Sequence, residues 1–481
     1  MAIKLQTKPD LPGQSPMPIV GWRGNALQFY TDPLDYMQKA KAAYGNIARF
    51  VQGGNSSLLY AEHRSPGTIF VFGPDYNRQI LSDIAAFEVR PAGGPNSPAF
   101  QRLMNSVVFV NGSTHKYYRQ LMMPAFHKKR IETYRDDMVA ITQKVLDEWQ
   151  PGEQRNILKD MQRLTLMIAN KTLFGVDASD EADSLGKVIQ EWFSLLTSPA
   201  AIIKIDAPGL PFRRLRELSD IVDNTMRSMI EQKRAHNVDD GDVLSMLIQA
   251  RDENGNGFTD DEIIGNANTL FIAGHETTAN TLSWTLYLLA QHPDVLRDLY
   301  DELSGILQGS APSVEQLNQL PLLEAVIKES MRVLPSGALS IRIASTDLEL
   351  GGYLIPQYTE VIFNRFDVHH SPEIYTDSNR FIPQRWFEIN PSPYEYLPFN
   401  AGARMCIGAT FAMFELKIVL AMLLQRFRLQ VVPGATINRK IGFTMSPAPG
   451  MPMLIHAQDQ AFDGNRVEVK GRVREMVELP S

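Results

Sequence analysis

Apolar and polar positions recur along this chain with two periods, and the helical period dominates. Asp32 to Tyr44 reads as an amphipathic helix and Pro74 to Leu81 as a short one. Gly112-Ser113-Thr114-His115 begins a third helix. Ile47 to Val51 and Thr68 to Phe72 read as strands, and Leu348 to Pro356, with Gly351-Gly352 inside it, as strand–turn–strand. From Arg130 to about Leu303 the pattern is helix-rich. It breaks near Ser198 to Phe212, where Pro199, Pro208 and Pro211 interrupt apolar residues. Ala92 to Asn96 and His236 to Asp242 read as loops. No internal repeat or low-complexity tract appears.

One helical pattern is longer than the others. Thr259-Asp260-Asp261-Glu262 is a capping-box start, and the pattern then runs to Gln291-His292, with Pro293 ending it. At 1.5 Å per residue it would span roughly 45 Å, enough to cross a domain, and its apolar character on most sides predicts burial. Ala273-Gly274-His275-Glu276-Thr277-Thr278 lies inside it. Glycine there costs about 1 kcal/mol against alanine, and an unpaired buried glutamate would cost more. Two readings follow. Either the helix presses on a neighbour at Gly274 with Glu276 salt-bridged, or the broken rule marks function. His275 reads as structural or surface-facing.

Composition sets bounds. The 481 residues are 44% hydrophobic and 21% charged, ordinary for a globular protein with a sizeable core. The net charge of −7 gives no basic field to attract nucleic acid. A single cysteine excludes an intramolecular disulfide framework and suits a reducing compartment. Met1 to Pro16 is polar and proline-broken, with neither a bilayer-spanning run nor a signal-peptide core. A soluble, cytoplasmic protein without a transmembrane anchor is expected.

That cysteine, Cys406, sits in Phe399-Asn400-Ala401-Gly402-Ala403-Arg404-Met405-Cys406-Ile407-Gly408, ahead of an apolar helix-forming run from Ala409 to Leu424. A lone cysteine is commonly a small buried hydrophobe. At a helix mouth, however, the dipole and nearby N–H groups favour thiolate, the form that ligates soft or redox metals. Gly402 and Gly408 would let the backbone turn tightly and lie against something flat. Arg404 could meet an anion beside the sulfur.

The pattern Phe-x-x-Gly-x-Arg-x-Cys-x-Gly resembles the haem-binding loop of the cytochrome P-450 superfamily at all five defining positions. The resemblance covers roughly Asp32 to His456. It implies a mostly α fold with a smaller β-rich lobe, in one large domain over 32–456. A proline-rich segment without an anchor would precede it at 1–31, and a tail at 457–481 would follow it. It implies haem b with Cys406 as axial iron ligand, the sulfur pushing electron density that favours O–O cleavage. Phe399 would pack beside the haem, and Arg404, His115, Arg119 and Arg342 would hold its propionates. Ala273 to Thr278 resembles the family's oxygen-activation segment. There Thr277 would orient a proton donor near dioxygen, and Glu276 would relay protons. Glu329 and Arg332, three apart on one helix face, would form a buried structural network with Arg385. Phe271, Ala273, Leu339, Ile341, Phe443 and Met445 are the candidate substrate-pocket residues, with Thr444 in the same turn as the last two. Arg466 to Val469 reads as an edge strand.

The reaction so implied is monooxygenation of an apolar small molecule, by hydroxylation or epoxidation. Electrons would come from NAD(P)H through a ferredoxin or flavodoxin and its reductase, since nothing here resembles a flavin or iron–sulfur domain. The basic cluster His127-Lys128-Lys129-Arg130 is either a solvated patch or part of the docking face for such a carrier. The protein would act as a monomer. Two alternatives are a peroxygenase or isomerase on the same fold, and a haem-binding sensor without turnover. The Glu276–Thr277 pair argues against both.

Overall fold

The computed structural model describes residues 10–53, 58, 65–91, 93–176, 180–198, 204–236 and 241–480. Ala92, Pro199 and the middle of the 236–242 loop fall outside these.

The central member is the helix Asp260–Gln291, of 32 residues. Its capping box forms as expected: Thr259 Oγ1 accepts from Glu262 N, and Glu262 Oε2 accepts from Thr259 N at 2.8 Å. Pro293 does not merely end it. It occupies the first turn of the next helix, Pro293–Leu307, where a missing N–H costs nothing. Ile157–Phe174, Pro321–Val333 and Ala409–Arg426 pack around the long helix. Their apolar faces join one large core that includes Leu164, Leu282, Trp284, Ile327 and Leu420. The close approach within this core is at Gly265, where a Cβ would collide with the carbonyls of Asn105 and Arg102. At Gly274 a Cβ would find only Leu173 Cδ1, at 4.0 Å. Of the two readings of Gly274, the structure does not support the one in which the helix presses on a neighbour there.

The β-rich lobe is a five-stranded sheet in the order Ile47–Arg49, Thr68–Val71, Glu360–Asn364, Leu339–Ala344, Phe87–Glu88. Thr68–Val71 and Glu360–Asn364 run parallel and the other pairs antiparallel. Ile69, Val71, Val361 and Phe363 pack into one apolar cluster, while Phe70, Phe72 and Ile362 pack into another. The two central strands are thus covered on both faces, so they read as continuous apolar runs instead of alternating ones. The hairpin Leu348–Leu350 with Tyr353–Ile355 forms as expected. The first segment contributes more than a proline-rich hinge: Trp22–Thr31 is helical and buries Phe29 against Tyr36 and Phe70.

Arg466 to Val469 does not form a strand; the neighbouring pairing is an isolated bridge between Thr436 and Lys470. The reason is local. Val469, Val473, Met476 and Val477 are buried in the main core, so the segment follows that surface instead of a sheet edge. Asn465, fully buried, donates to Leu429 O and accepts from Arg428 Nη1, which ties the 457–481 stretch down. Among the described residues no helix is long and apolar enough to cross a membrane.

Glu329, Arg332 and Arg385 meet in a buried network. Arg332 grips Glu329 with Nε and Nη2 at 2.9 and 2.8 Å, and Arg385 Nε reaches Glu329 Oε1 at 3.0 Å. Trp386 Nε1 and Ile382 N complete the carboxylate's partners, and Arg332 also donates to the carbonyls of His369, Ser378 and Arg380. Glu329→Ala would leave two guanidinium groups buried beside no anion. Unfolding stability should fall by roughly 3–5 kcal/mol, measured by denaturant titration. A loss below about 1 kcal/mol, the range of surface pairs, would show that the network does not hold the fold.

Candidate active site

The loop around Cys406 is shaped by its backbone. Cys406 N donates to Phe399 O at 2.8 Å and Met405 N to Gly402 O at 3.0 Å, closing a tight turn. Gly402 has φ +70°, and a Cβ there would collide with Leu81 O, so glycine is required on both counts. Asn400 also adopts a left-handed φ of 63°, with its own Oδ1 accepting from Ala401 N. Gly408 needs no such freedom. Its absent Cβ leaves open space beside the sulfur, 4.0 Å from Sγ.

Cys406 opens onto a cavity of about 1370 Å³. Phe399, Gly408 and Phe411 line it on the cysteine side. Ala273, Gly274, Thr277 and Thr278 of the long helix line it too, as do Leu339, Ile341 and Phe443. Phe271 and Met445 do not. Both are fully buried: Phe271 stacks on Phe174 and against His275, and Met445 presents its backbone carbonyl to Trp284 Nε1. These two pocket expectations are corrected to core packing. Phe271 lies six residues, about 600° at 100° per residue, before Thr277, which turns it to another helix face.

Thr277 Oγ1 donates to Ala273 O at 2.7 Å, so its lone pairs remain for the cavity side. Glu276, about 100° further round the helix, does not line the cavity and makes no ion pair among the described residues. Thr444 Oγ1, which does line it, donates to Glu276 Oε1 at 3.0 Å and accepts from Asn280 Nδ2 at 3.1 Å. Burial pushes the Glu276 carboxyl up from its ordinary pKa, against smaller downward pulls from Thr444 and Lys440. His275 is buried, not surface-facing. Nδ1 bonds Phe271 O at 2.8 Å and Nε2 meets Gln190 Nε2 at 3.2 Å.

The cavity carries an excess of positive charge. Arg342, Arg365 and Arg404 line it; His115 and Arg119 do not, though both lie near enough to act on one another and on that wall. Arg404 Nη2 donates to Val110 O and Asn111 Oδ1, and its buried Nε has no partner. Arg119 Nη1 holds Met405 O at 2.8 Å, beside the cysteine. Burial, then the charges of Arg404, Arg119 and Arg342, drive the His115 pKa down to about 4. Burial also pushes the Cys406 thiol up, against Gly408 N–H, Arg119 and Arg365. Packing around the sulfur thus works against the helix-mouth argument for a thiolate, whereas a coordinating metal removes the proton outright. Guanidinium groups with unmet donors, a sulfur accessible from the cavity and a glycine-cleared space beside it fit an anionic, planar, iron-bearing group such as haem. Arg365 and the Thr444 bridge to Glu276 were not singled out from sequence. Arg365 carries no motif, and its one signal is a charge following the apolar run Val361-Ile362-Phe363.

This fold and cavity define a haem-thiolate type of enzyme, and comparison with known proteins agrees. The family model for cytochrome P-450 matches residues 11–453. The cyclooctat-9-en-7-ol 5-monooxygenase of Streptomyces melanosporofaciens is 32% identical over 90% of this chain and 92% of its own. The pentalenene oxygenase of Streptomyces avermitilis is 28% identical over 88% and 92%. The solved structure of a retinoic acid-bound cyanobacterial protein, CYP120A1, superposes with a TM-score of 0.79 at 22% identity, covering 94% of this chain and all of that one. The chain belongs to the cytochrome P-450 family. It is a monooxygenase of that family, whose members use haem and dioxygen.

The Glu276 arrangement has a pH signature. A carboxyl raised on folding contributes stability that is full below the ordinary carboxylate range and is lost as pH climbs through the raised value. Thr444→Val removes the donor that opposes this shift, so melting temperature should fall more steeply between acid and neutral pH than in the unsubstituted protein. Glu276→Gln should flatten the same interval. Parallel profiles for all three proteins would contradict a buried, Thr444-linked carboxyl.

Proposed function

We propose that this enzyme hydroxylates or epoxidises a terpene-class, largely hydrocarbon substrate inside the cavity. In this reading Cys406 is the iron ligand, and Arg404 and Arg342 hold the propionates. His115 adds to the positive field, and Arg119 steadies the cysteine loop through Met405 O. The observation that carries it is that Cys406 and Thr277, from separate motifs, open onto one large and mostly apolar cavity. Two relatives are named for oxygenating pentalenene and cyclooctat-9-en-7-ol, which supports the substrate class.

Haem held by a thiolate supplies the redox chemistry that splits dioxygen, one atom going to substrate and the other to water. The chain does the rest. Leu339, Ile341 and Phe443 bind substrate through apolar contact and keep bulk water out. Ala273 and Gly274 leave free volume beside the helix. Thr277 Oγ1, its own hydrogen committed to Ala273 O, accepts a hydrogen bond and so can orient a water in the cavity. Glu276, held toward its protonated form by burial, is linked at Oε1 to the cavity wall through Thr444 Oγ1 and replenishes the proton used. Electrons come from NAD(P)H through a separate ferredoxin or flavodoxin system in the cytoplasm, and the catalytic unit is the monomeric 32–456 domain.

Two measurements test this. Reduced protein exposed to carbon monoxide should show the red-shifted Soret band of thiolate ligation, and Cys406→Ala should lose stable haem. An unchanged spectrum in that variant would refute the ligand. Thr277→Ala should lower product formed per electron by about tenfold or more, with peroxide released instead; unaltered coupling would remove Thr277 from proton delivery.

A further inference from the structure

Of Arg342, Arg365 and Arg404, which line the cavity together with Cys406, Arg365 is the one that no motif supplies. It follows the fully buried strand Glu360–Asn364 and opens the short helix Arg365–His369. Its side chain is part-buried, with Nε fully buried. Nη2 donates to Leu339 O at 2.9 Å, Nη1 reaches Leu397 O only at 3.4 Å, and the buried Nε has no acceptor. Among the described residues no carboxylate pairs with it. Burial and the Arg342 charge pull its pKa down to about 10, opposed by Cys406.

A part-buried, unpaired guanidinium is costly, and replacing it by an apolar side chain would relieve the ligand-free protein. The fold nevertheless holds it in place. Leu339 O belongs to the strand that carries Arg342, and Leu397 O to the segment leading into the cysteine loop. Gly337 stands where a Cβ would come within 3.0 Å of Nη2. The group is oriented without being neutralised, which is how a site looks when its counter-ion arrives with a ligand.

We propose that Arg365 is a haem-binding residue, a fixed cation neutralised only when an anionic porphyrin ligated by Cys406 fills the cavity. The proposal rests on reading the cavity as a haem site. Arg365 thereby weakens the ligand-free fold and strengthens the loaded one. Its charge, near the cysteine sulfur, also favours the reduced over the oxidised iron.

Arg365→Met keeps length without charge and Arg365→Lys keeps charge without the planar fork. Haemin is titrated into each apoprotein, its dissociation constant read from the Soret band. Apoprotein melting temperature and the midpoint potential of the loaded protein are measured alongside. The methionine variant should bind haemin about tenfold or more weakly, with an apoprotein at least as stable as the unsubstituted one and a lower midpoint potential. The lysine variant should bind haemin more tightly than the methionine variant. Affinity within about twofold of the unsubstituted protein, a destabilised methionine apoprotein, or equal weakness of both variants would overturn the proposal. If the unsubstituted protein itself gives no thiolate-type Soret band, the haem reading fails first, so the two failures are told apart.

Discussion

The loop from Asn400 to Gly408 has little apolar surface of its own, and two of its residues, Asn400 and Gly402, stand at positive φ. Its turns are closed by its own backbone, but its position is imposed from outside, and the imposing contacts are charged. Behind it, Glu329 locks Arg332 and Arg385, and through Arg332 the carbonyls of His369, Ser378 and Arg380. His369 Nε2 in turn accepts from Leu397 N, two residues before Phe399. In front, Arg119 takes Met405 O, and Arg404 returns to Val110 and Asn111. A buried ion pair seldom stabilises more than apolar packing would. What this one provides is direction, since each guanidinium fixes several carbonyls at once and leaves the loop one place to be.

The same charges create an imbalance on the cavity side. Arg404 and Arg365 keep donors without acceptors, and His115 is held below its usual pKa first by burial and then by the cations beside it. A sequence selected only for stability of the empty chain would not retain such a cluster. Its logic is that of binding: desolvation is met in advance by the fold, so an anionic ligand finds cations already dehydrated and aimed. The thiol belongs to the same scheme: it is accessible from the cavity, and a metal that reaches it there displaces its proton.

How much of this was legible in the chain depended on whether the information was local. The Cys406 loop, the capping box at Thr259 and the Glu329–Arg332 spacing are short-range patterns, and each folds into the element it suggested. Thr68 to Phe72 was legible as a strand, but its burial on both faces was not. Pairings between separate segments, 32 to 168 residues apart, were not visible: Thr444 with Glu276, Asn465 with Arg428, Arg365 with the segment leading into the cysteine loop. Phe271 and Met445 were misassigned because apolar character says that a side chain is buried, not whether it faces protein or cavity. Gly274 and Gly265 make the same point. Both interrupt one helix, yet only Gly265 meets a neighbour's backbone, and nothing in the residue type separates them.

Glu276 and Thr277 show what adjacency on a helix can and cannot do. Consecutive residues differ by about 100°, so a carboxylate beside a hydroxyl in sequence cannot share its face. Thr277 looks into the cavity and Glu276 looks toward the turn containing Thr444. The turn closes the gap, because Thr444 touches both the carboxyl and the cavity wall. A carboxylate placed directly in an apolar cavity would be hard to keep anhydrous and would compete with the substrate for space. Set one side chain back, it keeps a raised pKa, stays out of the way of an apolar ligand, and remains one hydroxyl from the space where protons are needed. In the proposed mechanism the strand turn at Thr444, far from the helix in sequence, is therefore as much part of the proton route as the motif that announces it.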